Sequence, residues 1–278
     1  MNKKSINIIK YLILALIIFF ILVPIIWIFS IAFRYSNEVF KILPTGITLG
    51  NFKIGIESTN KAGLSFSRMY LNSIIVSVSS VIGVLFISSL AAFGFSNYKF
   101  RFKEPIFLLI LISLMIPVQI LLIPLFVLMT NLNLLNTYWV LILPYLAFNC
   151  PIAIFILRGF FGEIPKEIKE SAKIDGASDI IVFLKIVLPL AKPALASVLV
   201  ISFIGAWNEF IFALTFLTND RLLTIPVALY RIMTSHQFGI PYEIYSAMII
   251  LTVFPIIFVY IIFQRWFIEG MTAGALKG

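Results

Sequence analysis

PIFLLILISLMIPVQILLIPLFVLMTNLNLLNTYWVLILPYLAFNCPIAIFIL, residues 105–157, runs for 53 residues without a charged side chain. A helix crosses the roughly 30 Å of bilayer hydrocarbon with about 20 apolar residues, so this stretch holds enough chain for two spans. It divides at Asn131-Leu132-Asn133-Leu134-Leu135-Asn136-Thr137, where three Asn and a Thr favour a turn. Uncharged runs also cover residues 11–33, 69–98 and 244–264, and Glu209 alone interrupts the apolar stretch 193–219. The reading is an all-α polytopic membrane protein with six transmembrane helices, at about 11–33, 70–95, 105–129, 138–160, 194–217 and 244–266.

Composition agrees. Of 278 residues, 61% are hydrophobic and 12% charged, against roughly 25% charged in an ordinary soluble domain. Mean hydropathy is +1.08. One cysteine (Cys150) and one histidine (His236) leave no disulfide framework and no Cys- or His-cluster metal centre, so no metal site is expected. The net charge of +9 would suggest a nucleic-acid partner in a soluble protein. In a membrane protein it bears on orientation, and no nucleic acid is expected. With a cytoplasmic N-terminus, fourteen of the 21 Lys and Arg fall inside, among them Lys99, Arg101, Lys103, Arg158 and Lys166. That bias predicts both termini in the cytoplasm. The first segment has a basic start and a small-x-small Ser30-Ile31-Ala32, but its apolar stretch exceeds the roughly 7–15 residues of a signal core. It reads as an uncleaved anchor. Residues 1–69 form this anchor helix and an outer loop, and residues 70–278 the main membrane domain, with an inner loop at 161–193.

That inner loop is too patterned to be a plain connection. Pro165 suits a first helical position, and Lys166 to Asp175 follows with Ile168, Ala172 and Asp175 on one face, Ile164 and Ser171 beside it. Gly176 breaks the helix with a residue free to take positive φ. Ser178 or Asp179 then caps a second short helix through Ile186, and Pro189 and Pro193 end it. Two readings of this bend stand on physics alone. It docks into another protein's cleft, or it rests on membrane lipid headgroups through Lys166, Lys169 and Lys173.

The stretch Glu170-Ser171-Ala172-x-x-Asp175-Gly176-Ala177, with Phe183, Ile186, Leu188 and Pro189 downstream, resembles the EAA loop of permease subunits of binding-protein-dependent ABC importers. Carbohydrate-type permeases also have counterparts of Asn72-Ser73, Met115-Ile116-Pro117-x-Gln119, Ile142-Leu143-Pro144-Tyr145 and Leu157-Arg158-Gly159-Phe160-Phe161. So do Gly205-Ala206-Trp207-Asn208-Glu209-Phe210 and the tail Gly270–Gly278. The resemblance covers residues from about 70 onward and is to the second, six-helix permease of the maltose and glycerol-3-phosphate type. Ser171 stands where that family usually has Ala, a small-for-small change.

The resemblance implies a mechanism and a set of partners. A second permease completes the translocation path, a dimer of ATP-binding cassette ATPase subunits sits beneath, and an extracellular or periplasmic solute-binding protein delivers a carbohydrate or related polyol. It places the chain in a bacterial or archaeal plasma (inner) membrane. Glu170 is the position whose acidic group engages a basic group of the ATPase, with Ser171, Ala172, Asp175, Gly176 and Ala177 completing the coupling motif. In the maltose relative the tail reaches into the ATPase dimer, which implies a coupling or regulatory role for Thr272–Gly278. The chain contains no Gly-Lys dipeptide and so lacks a phosphate-cradling P-loop. No catalytic residue and no cofactor is expected in it, with ATP and magnesium held by the ATPase partner.

Polar residues inside the spans are the candidates for the path. An intramembrane carboxylate costs about 2.5–3.5 kcal/mol on insertion scales and invites a functional reading, so Glu209 and its neighbour Asn208 are candidates. Glu209 can equally pair with another helix. Gln119 lies between Pro117 and Pro124, and Asn149 lies two residues before Pro151. Proline bends helices and frees carbonyls there. Cys150 reads as a small buried hydrophobe, and His236 as a residue of an outer loop. An ion-coupled carrier would show several intramembrane carboxylates or an inverted repeat, and a membrane enzyme would show clustered His, Asp, Glu or Cys; the sequence has neither.

Overall fold

The computed structural model describes residues 3–35, 41, 46–61, 63–234 and 241–275. Among them every regular element is helical. They divide into two compact units, residues 1–66 with 228–254 and residues 67–227 with 255–278. His236 lies outside the described residues, and of the tail only the helical backbone to Ala275 is described.

In the first unit, α1 (Lys3–Ala32) is exposed along its apolar length, with Leu12, Phe19, Phe20 and Ile26 all open. A helix that is apolar all round suits a membrane span rather than a water-facing surface. Its C-terminal end is closed by side chains. Asn51 donates to the carbonyls of Ala32 (2.9 Å) and Arg34 (2.7 Å), groups a helix end leaves without intrahelical partners. Asn51 belongs to α2 (Gly50–Lys61), a helix inside the stretch that the sequence presents only as an outer loop. Gly55 of α2 lies against Met248, whose Sδ would be 2.6 Å from an added Cβ.

The second unit contains α3 (Phe66–Asn97), α4 (Lys103–Ile112), α5 (Leu122–Asn131), α6 (Trp139–Glu163) and α7 (Lys166–Ile174). A composite element follows: α8 (Asp179–Val182), a π-helical turn Phe183–Val187 and α9 (Leu188–Leu190). Then come α10 (Lys192–Asn208) and α11 (Ile211–Phe216). Two further helices, α12 (Ile225–Thr234) and α13 (Tyr242–Ala275), run from one unit's residues into the other's.

Among the described residues four helices are individually long and apolar enough to cross a membrane, and there are up to six spans if each of two bent pairs counts as one. The third expected span is one of these pairs. Residues 103–115 and 118–131 meet at 89°. The ring of Pro117 keeps Ile116 out of helical conformation (φ −80, ψ 117). The fifth expected span, 194–217, is corrected. Its helix ends at Asn208, and the bent pair instead joins Asp179–Leu190 to Lys192–Asn208 at 76°. Pro189 therefore sits inside α9 rather than ending it, and the bend falls at Ala191 (φ −92, ψ 15).

The core that fixes the inner loop to the spans is Val84 and Phe93 of α3, Leu157 and Phe161 of α6, Val182, Phe183 and Val187, and Ala194 and Val198 of α10. The rings of Phe93 and Phe183 lie 5.0 Å apart, centroid to centroid. At the other end of α3, Asn72 donates to the carbonyls of Arg221 (3.0 Å) and Leu223 (2.9 Å) and accepts from the Tyr138 hydroxyl (2.7 Å). Ser73 accepts the Ile225 N–H at the start of α12. The Asn-Ser pair thus clamps the approach to α12. Helix approach is closest where glycine allows it. A Cβ on Gly270 of α13 would lie 2.6 Å from the Pro193 carbonyl of α10, which is backbone and cannot swing aside.

Gly270→Ala should therefore destabilise the purified protein by about 1–3 kcal/mol, read as a lower thermal midpoint in detergent. Gly94→Ala, with nothing within 4 Å of the added Cβ, should leave the midpoint unchanged or higher.

Candidate functional site

Two arrangements hold the candidate residues. The first is the inner loop. Pro165 (φ −52, ψ 135) stands just before α7 as its N-cap rather than as its first residue. Glu167 in the first turn and Lys173 in the last complement the helix dipole. The helix ends in a Schellman pattern. The Gly176 N–H donates to the Lys173 carbonyl (3.0 Å) and the Ala177 N–H to the Ala172 carbonyl (2.9 Å). Gly176 takes φ +84, the left-handed region that a Cβ disfavours. Nothing lies within 4 Å of where its Cβ would be, so in this chain the constraint there is conformational. Ser178 caps the next helix, accepting from the Ile181 N–H. Lys173 Nζ and Asp179 Oδ1 pair across the bend at 2.6 Å, and the Tyr98 hydroxyl donates to Asp179 (2.8 Å). The bonds from Lys173 and then Tyr98 hold the Asp179 carboxyl below the usual carboxylate range.

The six motif residues separate by face. Ala172 and Ala177 pack half-buried against the core, while Glu170, Ser171, Asp175 and Gly176 are exposed. Around them protrude Ile174, 86% exposed, Ile180, 70% exposed, and Leu184. The arrangement is an acidic group beside an apolar knob at a rigid bend, a shape suited to an apolar cleft with a basic wall.

Lys169 departs from the sequence reading, which set it on a basic rim. It is buried, and its ammonium donates to Asn97 Oδ1 (2.9 Å) and to the Phe161 carbonyl (3.0 Å). Burial, and then the neighbouring Lys166, lower its pKa. In Lys166-x-x-Lys169-x-x-x-Lys173 the three lysines look alike, and only the packing of α7 against α6 tells them apart.

The second arrangement surrounds Glu209. The residue terminates α10 in extended conformation (φ −65, ψ 132). Its carboxylate accepts the N–H groups of Phe212 (2.7 Å) and Ala213 (3.2 Å) and the hydroxyl of Tyr145. It thus caps α11 and ties that helix to α6. Asn149, one turn along α6, donates to the Tyr145 carbonyl (2.8 Å), and its Oδ1 would lie 3.6 Å from a Cβ on Gly205 of α10. Asn149 and Glu209 therefore share the α6–α10 seam. Asn208 is exposed on the last turn of α10, and Gln119 is exposed on the turn Val118–Leu121 after Pro117. Tyr145 was not among the expected site residues, although it lies in the Leu143-Pro144-Tyr145 pattern. A tyrosine within a proline-bent span is a visible signal for a partner of a buried carboxylate.

Long apolar helices, some of them broken, joined by a structured polar loop are the marks of a polytopic membrane protein. The protein belongs to the family of binding-protein-dependent transport system inner membrane components, whose family model matches residues 83–273. An arabinooligosaccharides transport system permease protein of Halalkalibacterium halodurans is 36% identical, with 100% of each chain covered. A trehalose/maltose transport system permease protein of Thermococcus litoralis is 34% identical, with 99% of this chain and 98% of that one covered. The fold is also similar to a bacterial ABC transporter involved in the import of the acidic polysaccharide alginate, at a TM-score of 0.82 and 24% identity, covering 96% of this chain and 99% of the other.

Because Glu209 caps α11, Glu209→Ala should cost about 1–2 kcal/mol of stability, seen as a lowered thermal midpoint of the purified chain. Lost transport with an unchanged midpoint would assign the carboxylate to the solute path instead.

Proposed function

We propose that this chain is the inner-membrane permease subunit of an ATP-driven importer. With a second permease it forms the path for a sugar or related polyol, delivered by an external solute-binding protein, and it couples that path to a separate ATPase dimer that binds ATP and magnesium. The oligosaccharide and disaccharide transport named for its relatives supports the solute class. The observation that carries the coupling role is the Schellman bend at Gly176, which holds Glu170 exposed beside the protruding Ile174 and Ile180.

The lipid-surface alternative rested on three basic residues. With Lys169 buried and Lys173 paired to Asp179, Lys166 is the one left to face headgroups, which favours docking. In the proposed cycle, Glu170 engages a basic group of the ATPase and the apolar knob fills its cleft. Ser171, Asp175 and Gly176 keep the contact surface small, and Ala172 and Ala177 pass its displacement into the core. Gln119, Asn149, Asn208 and Glu209 are the proposed path-side residues, Glu209 acting by shaping the seam. Both termini lie in the cytoplasm.

Two measurements test this. Glu170→Lys and Gly176→Val should leave insertion and pairing with the second permease intact yet strip the ATPase from purified membranes. The first reverses a contact charge, and the second adds about 1–2 kcal/mol of left-handed strain. Retention of the ATPase at wild-type levels in both variants would overturn the docking role. For orientation, Lys173→Cys in a Cys150→Ser background should react with an impermeant thiol reagent only after cells are permeabilised; labelling of intact cells would reverse the topology.

A further inference from the structure

The lysine on the inner face of the coupling helix has a geometry that the docking role does not require. Lys169 turns inward beside the exposed Glu170, with which it lines one cavity, and enters the place where two long helices end. Asn97 is the last residue of α3, and Phe161 lies in the last turn of α6. The Phe161 carbonyl is one of the four that α6 cannot satisfy within itself. Both helix ends present the negative pole of a dipole, so a cation between them is held by charge as well as by hydrogen bonds. Lys169 is 8% exposed and Phe161 fully buried, and a small open cavity lined by Asn97, Lys166 and Glu170 lies alongside. Burying an ammonium is costly unless it is paired, so a lysine kept here is held by both oxygens and constrains the distance between them.

α7 is also held by the buried Ile164 just before it, by the packing of Ala172 and, across the bend, by the Lys173–Asp179 pair. Lys169 differs from these ties in bonding directly to the ends of both α3 and α6.

We propose that Lys169 is a positioning residue that fastens α7 to the ends of α3 and α6 together, so that displacement of the coupling helix by the ATPase moves both spans as one. This rests on the importer reading above and adds the route by which force leaves the loop.

The test uses the full complex of both permeases, ATPase and binding protein in liposomes, measuring ATP hydrolysis and solute uptake in parallel. Lys169→Met keeps the length and apolar stem but removes the donor. It should retain the bound ATPase and its basal hydrolysis while solute moved per ATP falls by roughly fivefold or more, as expected for loss of two charge-assisted hydrogen bonds. Lys169→Arg, whose guanidinium can reach both oxygens, should restore most of the ratio. Asn97→Leu removes one of the two acceptors without touching the loop and should give a partial loss. It decides the matter if Lys169→Met does not assemble. Wild-type uptake per ATP in both Lys169→Met and Asn97→Leu would overturn the proposal. An unmutated complex that never retains an ATPase would instead overturn the importer reading, so the two failures are distinct.

Discussion

Backbone groups inside hydrocarbon have no water to bond, so every interruption of a spanning helix must be closed by the protein itself. This constraint explains the placement of Glu209. The end of α10 at Asn208 and the restart at Ile211 leave the N–H groups of Phe212 and Ala213 unpaired within the helix. The carboxylate takes both. A carboxylate there is favoured by the positive end of α11, and the Tyr145 hydroxyl supplies a third donor from α6. The break and the charge are one device: without the break the carboxylate would lack donors, and without the carboxylate the break would leave donors bare. The clamp of Asn72 and Ser73 on residues 221–225 closes a second interruption in the same way, with neutral groups.

The inner loop solves a different problem. In the proposed docking role it presents a surface to a partner and remains fixed to the spans. Alternate faces of one short helix divide these tasks. The outward face carries Glu170 and leads to the glycine bend, and the inward face carries Lys169 and Ala172. The Schellman bonds at Gly176 and the Lys173–Asp179 pair fix the angle between the two parts of the loop. A load applied at Ile174 or Ile180 therefore reaches the core through a rigid elbow.

What the sequence makes legible follows from the range of each interaction. Spans are set by local apolar length, so residues 70–95 and 244–266 fall within long helices and 11–33 and 138–160 overrun theirs by one residue. The bend at Gly176 is also local and stands as read, and of the two candidate caps, Ser178 and Asp179, the structure uses Ser178. The expectation for 194–217 fails because apolarity says nothing of continuity. Glu209 is a signal of a break as much as of a binding group, and the choice depends on Tyr145, 64 residues away. Helices α2 and α12 escape notice because one is largely polar and both are too short to span. The inward turn of Lys169 is illegible for a related reason: its partners are 8 and 72 residues away.

The same accounting bears on solute recognition. Sugar hydroxyls are bound by groups with hydrogen-bonding capacity to spare, since a site built to bond a hydroxyl rejects ligands that leave its polar groups unpaired. Glu209 accepts three bonds from its own protein, and the Asn149 amide donates to its own helix. Each spends part of its capacity on the fold, and what is left for a passing hydroxyl is chiefly the Asn149 amide oxygen and the remaining acceptor site of the Glu209 carboxylate. Gln119 and Asn208 are exposed, and each sits beside a helix break, where the backbone also offers polar groups. Polar groups at a bend can meet a solute and move when the bend moves, whereas those spent within the α6–α10 seam hold the wall against which such movement takes place.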